Sequence, residues 1–111
     1  MRITVAVKKP GEPICVKEVE NDYKTFKSLL DDGLLTSFVF GKGIVAYCDD
    51  EGFDKRLPLN FILESTVIVG TVIFFRYDGG EVERSLTVEQ IQLLKMFFSD
   101  SDLCVINRIR I

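Results

Sequence analysis

The densest group of residues that could do chemistry in this sequence is acidic. The stretch "DDEGFD" carries four carboxylates: Asp49, Asp50, Glu51 and Asp54. Closely spaced carboxylates can bind a cation or contact basic residues of a partner. This stretch lacks the alternating ligand positions and the closing Glu of a calcium loop. We interpret it as a solvated acidic surface, with a weak cation site or a basic partner as the alternatives, and predict no metal site.

The residues of common catalytic sites are missing. The sequence has no histidine, which removes the commonest general base and every Ser-His or Cys-His nucleophile. Cys15, Cys48 and Cys104 are scattered and form no Cys-x-x-Cys pair, so we interpret each as a buried free thiol. We predict no catalytic residue and no cofactor, and we do not expect an enzyme. An enzyme dependent on carboxylates and a metal is the second alternative.

An asparagine stands among large apolar residues in "LPLNF". The proline restricts Leu57 to extended conformations, and a buried amide such as that of Asn60 must find hydrogen-bond partners. Asn60 therefore either braces an irregular crossing of the chain through backbone hydrogen bonds or contacts a ligand at a pocket rim.

A set of polar and aromatic residues could line a pocket for a nucleotide. Aromatic rings stack on bases, and arginines hold phosphates. The predicted ligand- or partner-binding residues are Arg56, Asn60, Phe61, Thr71 and Arg76.

Charge and hydropathy limit the classes of partner. Seventeen acidic and fourteen basic residues give a net charge of -3, which argues against general nucleic-acid binding. The longest apolar run, residues 67–75, is far shorter than the roughly 20 residues of a membrane-spanning helix. The N-terminus lacks the pattern of a signal peptide. We expect a cytoplasmic protein that does not bind membranes.

The elements that must position these residues are mostly strands. Residues 2–8 and 14–19 alternate with period two and predict a hairpin, as do residues 34–41 and 43–49 around "GKG". Residues 65–77 predict one buried central strand, in which Gly70 marks a bulge or a close backbone approach. Residues 82–86 predict a short returning strand, and residues 103–111 a final edge strand that carries Arg108 and Arg110.

Two helices complete the expected fold. The first lies within residues 21–33, with Asn21 or Asp22 as its N-cap and Gly33 at its end. The second lies within residues 86–98, where Thr87 and Gln90 have the spacing of a capping box. We predict a single α+β domain over residues 1–111. It has a largely antiparallel sheet of six or seven strands and two helices packed on one face.

Several segments, in this order, resemble a known family. They are "PGEPICVKEVEN", "VAYCDDEG", "LPLN", and "IVGTVIFF" followed by "SLTVEQIQLL". They resemble the small domain of unknown function numbered three-eight-four-six over residues 1–99, which leaves residues 100–111 as an additional C-terminal strand. The matching positions are Leu57, Pro58, Asn60, Gly70, Thr71, Leu86, Thr87, Glu89 and Gln90. Leu59 and Phe61 stand where the family has Pro and Arg.

The resemblance implies a setting rather than an activity. Such domains are encoded by phages, conjugative elements and gut bacteria, and no activity is agreed for them. The leading hypothesis is a non-enzymatic accessory protein that binds and blocks a host protein, as an anti-defence inhibitor of anti-CRISPR or similar type. The alternative is a protein that sequesters a small-molecule nucleotide signal. We also expect self-association as a homodimer or a higher oligomer.

Overall fold

Three hairpins form most of the two sheets. The computed structural model describes residues 1–98 and the strand at Cys104–Ile106. The strands are β1 (Arg2–Lys8), β2 (Cys15–Glu20), β3 (Leu35–Gly41), β4 (Ile44–Asp49), β5 (Leu59–Leu63), β6 (Thr66–Val69), β7 (Val72–Arg76) and β8 (Cys104–Ile106), and the helices are α1 (Tyr23–Leu29) and α2 (Val88–Phe97). The prediction of a mostly antiparallel α+β fold with two helices is confirmed.

The main sheet has five strands in the order β2-β1-β7-β4-β3, and every neighbouring pair is antiparallel. Both predicted hairpins, β1–β2 and β3–β4, are confirmed. The second hairpin turns at Lys42 and Gly43, whose φ angles of 57° and 76° are those of a left-handed two-residue turn. Gly suits this turn because it has no Cβ to clash.

The single central strand predicted over residues 65–77 is wrong, because the chain bends at Gly70. Gly70 has a φ of 75°, and a Cβ there would lie 2.7 Å from Leu57 Cδ1. Gly70 therefore marks a close approach. The segment before it, β6, pairs with β5, and the segment after it, β7, is central in the main sheet.

The prediction of one sheet with six or seven strands also needs correction. Among the described residues, eight strands form the main sheet and a smaller sheet in the order β6-β5-β8. Strand β5 was not predicted, and β8 pairs with it in parallel. The remainder of the predicted final strand, including Arg108 and Arg110, lies outside the described residues.

The helices pack on opposite faces of the main sheet, which corrects the prediction of one shared face. Phe26 and Leu30, at α1, pack with Ile3, Val5 and Val7 of β1. Leu94 and Phe98, at α2, pack with Ala6 and Phe74 on the other face, which the smaller sheet also covers. The physical reason is that the central strand β7 is apolar on both faces and β1 has buried residues on both, so each face needs cover.

The ends of the helices follow local hydrogen bonding. Asp22 caps α1 by accepting a bond from the backbone N–H of Thr25, and Leu30 is the C-cap, so Gly33 does not end the helix as predicted. The predicted capping box of Thr87 and Gln90 is confirmed at α2. No helix among the described residues is long and apolar enough to span a membrane.

Two smaller predictions also fail. Residues 82–86 form no strand; their backbone makes only an isolated antiparallel β-bridge, between Arg84 and Arg76. Cys15 is exposed rather than buried, because it begins the edge strand β2, in which Val19 alone is buried. Cys48 is half-buried, and burial raises the pKa of its thiol to about 11. Such a thiol is mostly protonated near neutral pH and is a poor nucleophile.

Candidate functional site

Asn60 is a structural brace at the passage between the two sheets. Its side chain is 0% exposed. The amide nitrogen donates to the carbonyl oxygens of Lys8 (2.8 Å) and Gly70 (2.7 Å), and the amide oxygen accepts from Lys8 Nζ (3.2 Å). Of the two roles considered for Asn60, this geometry fits the bracing of an irregular crossing.

Lys8 is the unusual partner in this arrangement. Its side chain is buried on the α2 side of the sheet, where its ammonium also donates to the carbonyl of Lys9 (2.9 Å). The ammonium lies 5.8 Å from the centre of the Phe98 ring. A buried ammonium needs such polar and aromatic neighbours to offset its lost hydration.

Phe61 belongs to the core rather than to an open pocket. It is fully buried, and its ring lies near those of Phe38, Phe40, Phe74 and Phe98, with centroid separations from 5.0 to 6.5 Å. The sequence did not indicate this burial because β5 was interpreted as an irregular crossing. In the structure Phe61 points into the space between the two sheets.

A small cleft gathers positions that carry the family resemblance. We call it the motif cleft. It has a volume of about 180 Å³ and is lined by Pro10, Leu30, Asp31, Asp49, Lys55, Leu57, Pro58, Gly70 and Thr71. Two predicted site residues, Asp49 and Thr71, therefore come together, and Asn60 is bonded to the carbonyl of Gly70 in its wall.

Asp49 organises the loop beside this cleft. One carboxylate oxygen accepts from the backbone N–H groups of Leu34 (3.2 Å) and Glu51 (2.9 Å), and the other accepts from Lys55 Nζ (2.7 Å). Burial opposes ionisation of Asp49, but these hydrogen bonds outweigh it and hold the pKa of the carboxyl below its usual value. The hydrogen bond that Lys55 donates to Asp49 raises the pKa of Lys55.

The other acidic candidates do not converge with Asp49 on a ligand. Asp50, Glu51 and Asp54 are exposed. In the part of the chain that the structure describes, no three acidic or cysteine side chains are placed to hold a metal ion. The acidic stretch is thus one buried, bonded carboxylate surrounded by solvated ones.

Neither predicted arginine lines the motif cleft. Arg56 is exposed in the turn before β5, with a φ of 57°. Arg76 ends β7, and its Nε donates to the carbonyl of Ser85 (2.8 Å). Thr71 precedes the other end of β7, roughly 16 Å away for five extended residues. The five predicted binding residues therefore do not form one pocket.

A second depression, larger than the motif cleft, was not expected from the sequence. We call it the sheet-face groove. It has a volume of about 410 Å³ and lies on the face of the main sheet that α1 partly covers; its lining residues are Ser37, Val39, Val45, Tyr47, Phe75, Tyr77, Glu81, Val82 and Glu83. Helix α1 has seven residues and is therefore about 10 Å long, too short to cover this face. The short length of α1 is the feature that could have indicated a partly uncovered sheet face.

The floor of the sheet-face groove is apolar and its wall is acidic. Val39 is 72% exposed and Tyr77 is 42% exposed. The wall, residues 77–83, includes Asp78, Glu81 and Glu83. Arg84, which follows the wall, pairs with Asp78 (3.6 Å), so the acidic character of the wall comes from Glu81 and Glu83.

Hydrogen bonds attach this wall to the rest of the fold. Tyr47 Oη donates to the carboxylate of Glu83, and Asn21 Nδ2 donates to the Glu83 carbonyl (3.0 Å). Burial raises the pKa of Tyr47, and its hydrogen bond to the Glu83 carboxylate raises it further. The groove is therefore a defined surface between a rigid sheet and an anchored loop.

Comparison with known proteins gives one match. The family model described as Domain of unknown function (DUF3846) matches residues 1–99, which is most of the chain. No curated protein and no solved structure matches.

Proposed function

The chain belongs to the DUF3846 family, and we propose that it is a non-enzymatic accessory protein of a phage or mobile element. In this proposal it binds and blocks a host protein in the bacterial cytoplasm as an anti-defence inhibitor. The observation that carries the proposal is the sheet-face groove, with its apolar floor and acidic wall.

An exposed apolar depression with a polar rim is a common form of protein-binding surface. Val45 and Phe75 belong to the packed sheet, so binding costs little side-chain ordering there. Val39 and Val82 are exposed and would lose water contact on binding. Burial of such apolar surface supplies affinity at about 25 cal/mol per Å² before the costs of association are subtracted.

The acidic wall supports a basic partner. Glu81 and Glu83 line the groove, whereas Asp78 in the same wall is paired with Arg84. Charges at the rim of an interface mainly select partners and speed association. A host protein with an apolar anchor beside lysine or arginine would fit this surface.

The dimensions support a protein partner over a nucleotide. The motif cleft, at about 180 Å³, is smaller than the roughly 300–1,000 Å³ of ordinary ligand pockets. Arg76, which was expected to hold phosphate, is not among its lining residues. The sheet-face groove is larger, but its exposed floor makes it an open surface rather than an enclosing pocket.

The test compares one groove variant with a matched control in bacteria that carry defined defence systems. Val39→Lys places an ammonium in the groove, where it should repel a basic partner. Val88→Lys changes an equally exposed valine on α2, outside the groove (65% against 72% exposed). Both substitutions should change the free energy of unfolding by no more than about 0.5 kcal/mol, which thermal unfolding checks.

We expect the unmodified protein to raise the plaquing efficiency of a targeted phage on at least one defended strain. Val39→Lys should abolish this effect, and Val88→Lys should keep it. The proposal is wrong if no defence system is affected, or if the Val39→Lys protein remains fully active.

A further inference from the structure

The two edges of the main sheet differ sharply in protection. Edge strand β2 carries Lys17, Glu18 and Glu20, and charges of this kind discourage pairing with another chain. Edge strand β3, "LTSFVFG", has neither a charged residue nor a proline. Among the described residues, β3 pairs with β4 alone. Its outer backbone groups form the less protected edge.

Both faces of β3 border a depression. The sheet-face groove lies on the side of Ser37 and Val39. On the other side, two hollows of about 310 and 250 Å³ share Phe38 and Ile68 in their linings and lie between β3 and the smaller sheet. Side chains of an added strand alternate between the two faces of a sheet. A strand placed beside β3 would therefore find space for its side chains on both faces.

The charged residues that line the depressions beside β3 are acidic, and one of them, Asp49, is paired with Lys55 (2.7 Å). The groove is lined by Glu81 and Glu83, and the two hollows are lined by Asp49, Asp50 and Glu64. No basic residue lines any of the three. Exposed apolar side chains accompany these carboxylates, among them Val39, Phe53 and Val67. Both sides of the edge thus combine apolar contacts with negative charge.

We infer that the segment recognised by this protein is an extended, basic and apolar peptide that adds to β3 as a sixth strand of the main sheet. The inference rests on the proposed function for the identity of the partner as a protein. Main-chain hydrogen bonds to β3 supply affinity in this mode, and the side hollows supply specificity. A second copy of this chain fits less well, because pairing two β3 edges brings two acidic surroundings together.

The test uses blocked ten-residue peptides and the uniformly ¹⁵N-labelled full chain. The probe alternates valine and lysine. One control peptide has glutamate in place of every lysine. Two further control peptides keep the valine–lysine sequence and are N-methylated at alternate residues. One carries the methyl groups along one edge of the extended peptide, and the other carries them along the opposite edge. Amide shifts give the dissociation constants, and hydrogen exchange locates protected amides.

We expect the valine–lysine peptide to slow exchange at alternate amides of β3. The glutamate peptide should bind at least about tenfold more weakly, since it meets like charge. Only the version whose methyl groups lie on the edge that pairs with β3 should lose the protection, because a methylated nitrogen cannot donate to a β3 carbonyl. The version methylated on its outer edge should keep it. Val39→Lys should weaken the valine–lysine peptide by a similar factor, and Val88→Lys should not.

Other outcomes overturn the inference or the proposed function separately. Peptide binding without protection of β3 indicates docking on the sheet face alone. Protection of β3 that increases with protein concentration, without peptide, identifies a second copy as the occupant. If Val39→Lys abolishes the cellular effect but no peptide protects β3, strand addition is wrong and the proposed function stands. If peptides protect β3 but no defence system is affected, the proposed function is wrong and strand addition stands.

Discussion

At the scale of single residues, Asn60 concentrates three hydrogen bonds where the chain passes between its two sheets. Its amide contacts the backbone of β1 at Lys8 and the carbonyl of Gly70 at once. A residue that satisfies this many buried groups fixes the shape of the loop around it. The stability of the passage therefore depends strongly on this one side chain.

We expect Asn60→Leu to lower the free energy of unfolding by roughly 3 kcal/mol, because buried groups at Lys8 and Gly70 lose their partner. Asn21→Leu is the control, because the Asn21 side chain donates a hydrogen bond to the Glu83 carbonyl (3.0 Å) in a partly buried position. It should cost about 1 kcal/mol. Urea unfolding measures both. Equal costs for the two variants would contradict the bracing role.

Asp49 gives a prediction about pH. Its folded-state pKa lies below the usual 3.8, so the carboxylate contributes stability above that value, and the contribution is lost as pH falls through the folded pKa. Asp49→Asn should therefore be less stable than the unmodified protein at pH 7, with a difference that narrows below pH 3.8. Urea unfolding at pH 7 and pH 3 tests this, with the exposed Asp54→Asn as control. A constant difference at both pH values would contradict it.

Local chemistry could be predicted from the sequence at some residues and not at others. The caps at Asp22 and Thr87 were predictable because capping depends on residues three positions apart. The bond between Lys8 and Asn60 was not, because it joins residues 52 positions apart. Nor could it be predicted that Asp49 and Thr71, which are 22 positions apart, line the same cleft, and so only part of the candidate site was foreseen.

At the scale of elements, Gly70 decides how residues 65–77 are divided. The apolar and β-branched pattern is similar on both sides of Gly70, so periodicity alone favoured one long strand. The division into β6 and β7 depends instead on Leu57, which packs against the Gly70 backbone. Hairpins β1–β2 and β3–β4 were predictable because their turns are local in sequence.

Replacement of Gly70 tests this division. Gly70→Ala places a Cβ at a φ of 75° and 2.7 Å from Leu57 Cδ1, so it adds backbone strain and displaces Leu57. We expect it to lower the free energy of unfolding by roughly 2 kcal/mol. Gly11→Ala is a close control, with a φ of 72° and no atom within 4 Å, and should cost about 1 kcal/mol. Denaturant unfolding compares them. A Gly70→Ala protein no less stable than Gly11→Ala would contradict the role of this contact.

At the scale of the whole molecule, the fold has one sheet covered unequally on its two faces. Helix α2 and the smaller sheet cover the face of Ala6 and Phe74, whereas α1 covers only part of the other face. Which helix takes which face could not be predicted, because β7 is apolar on both sides. The sheet-face groove is the consequence of this unequal cover, and so it was also absent from the sequence-based expectations.

Hydrogen exchange should show that the central strand β7 is better protected than the edge strand β3. Strand β7 lies between β1 and β4 and four of its five residues are buried, so its amides should exchange only through global unfolding. Amides of β3 that point away from β4 should exchange far faster at low protein concentration, because β3 is an edge strand. Native-state exchange followed by NMR measures both sets. If all β3 amides were as slow as those of β7 in dilute protein, the edge would already be covered, and the proposed peptide site on β3 could not be correct.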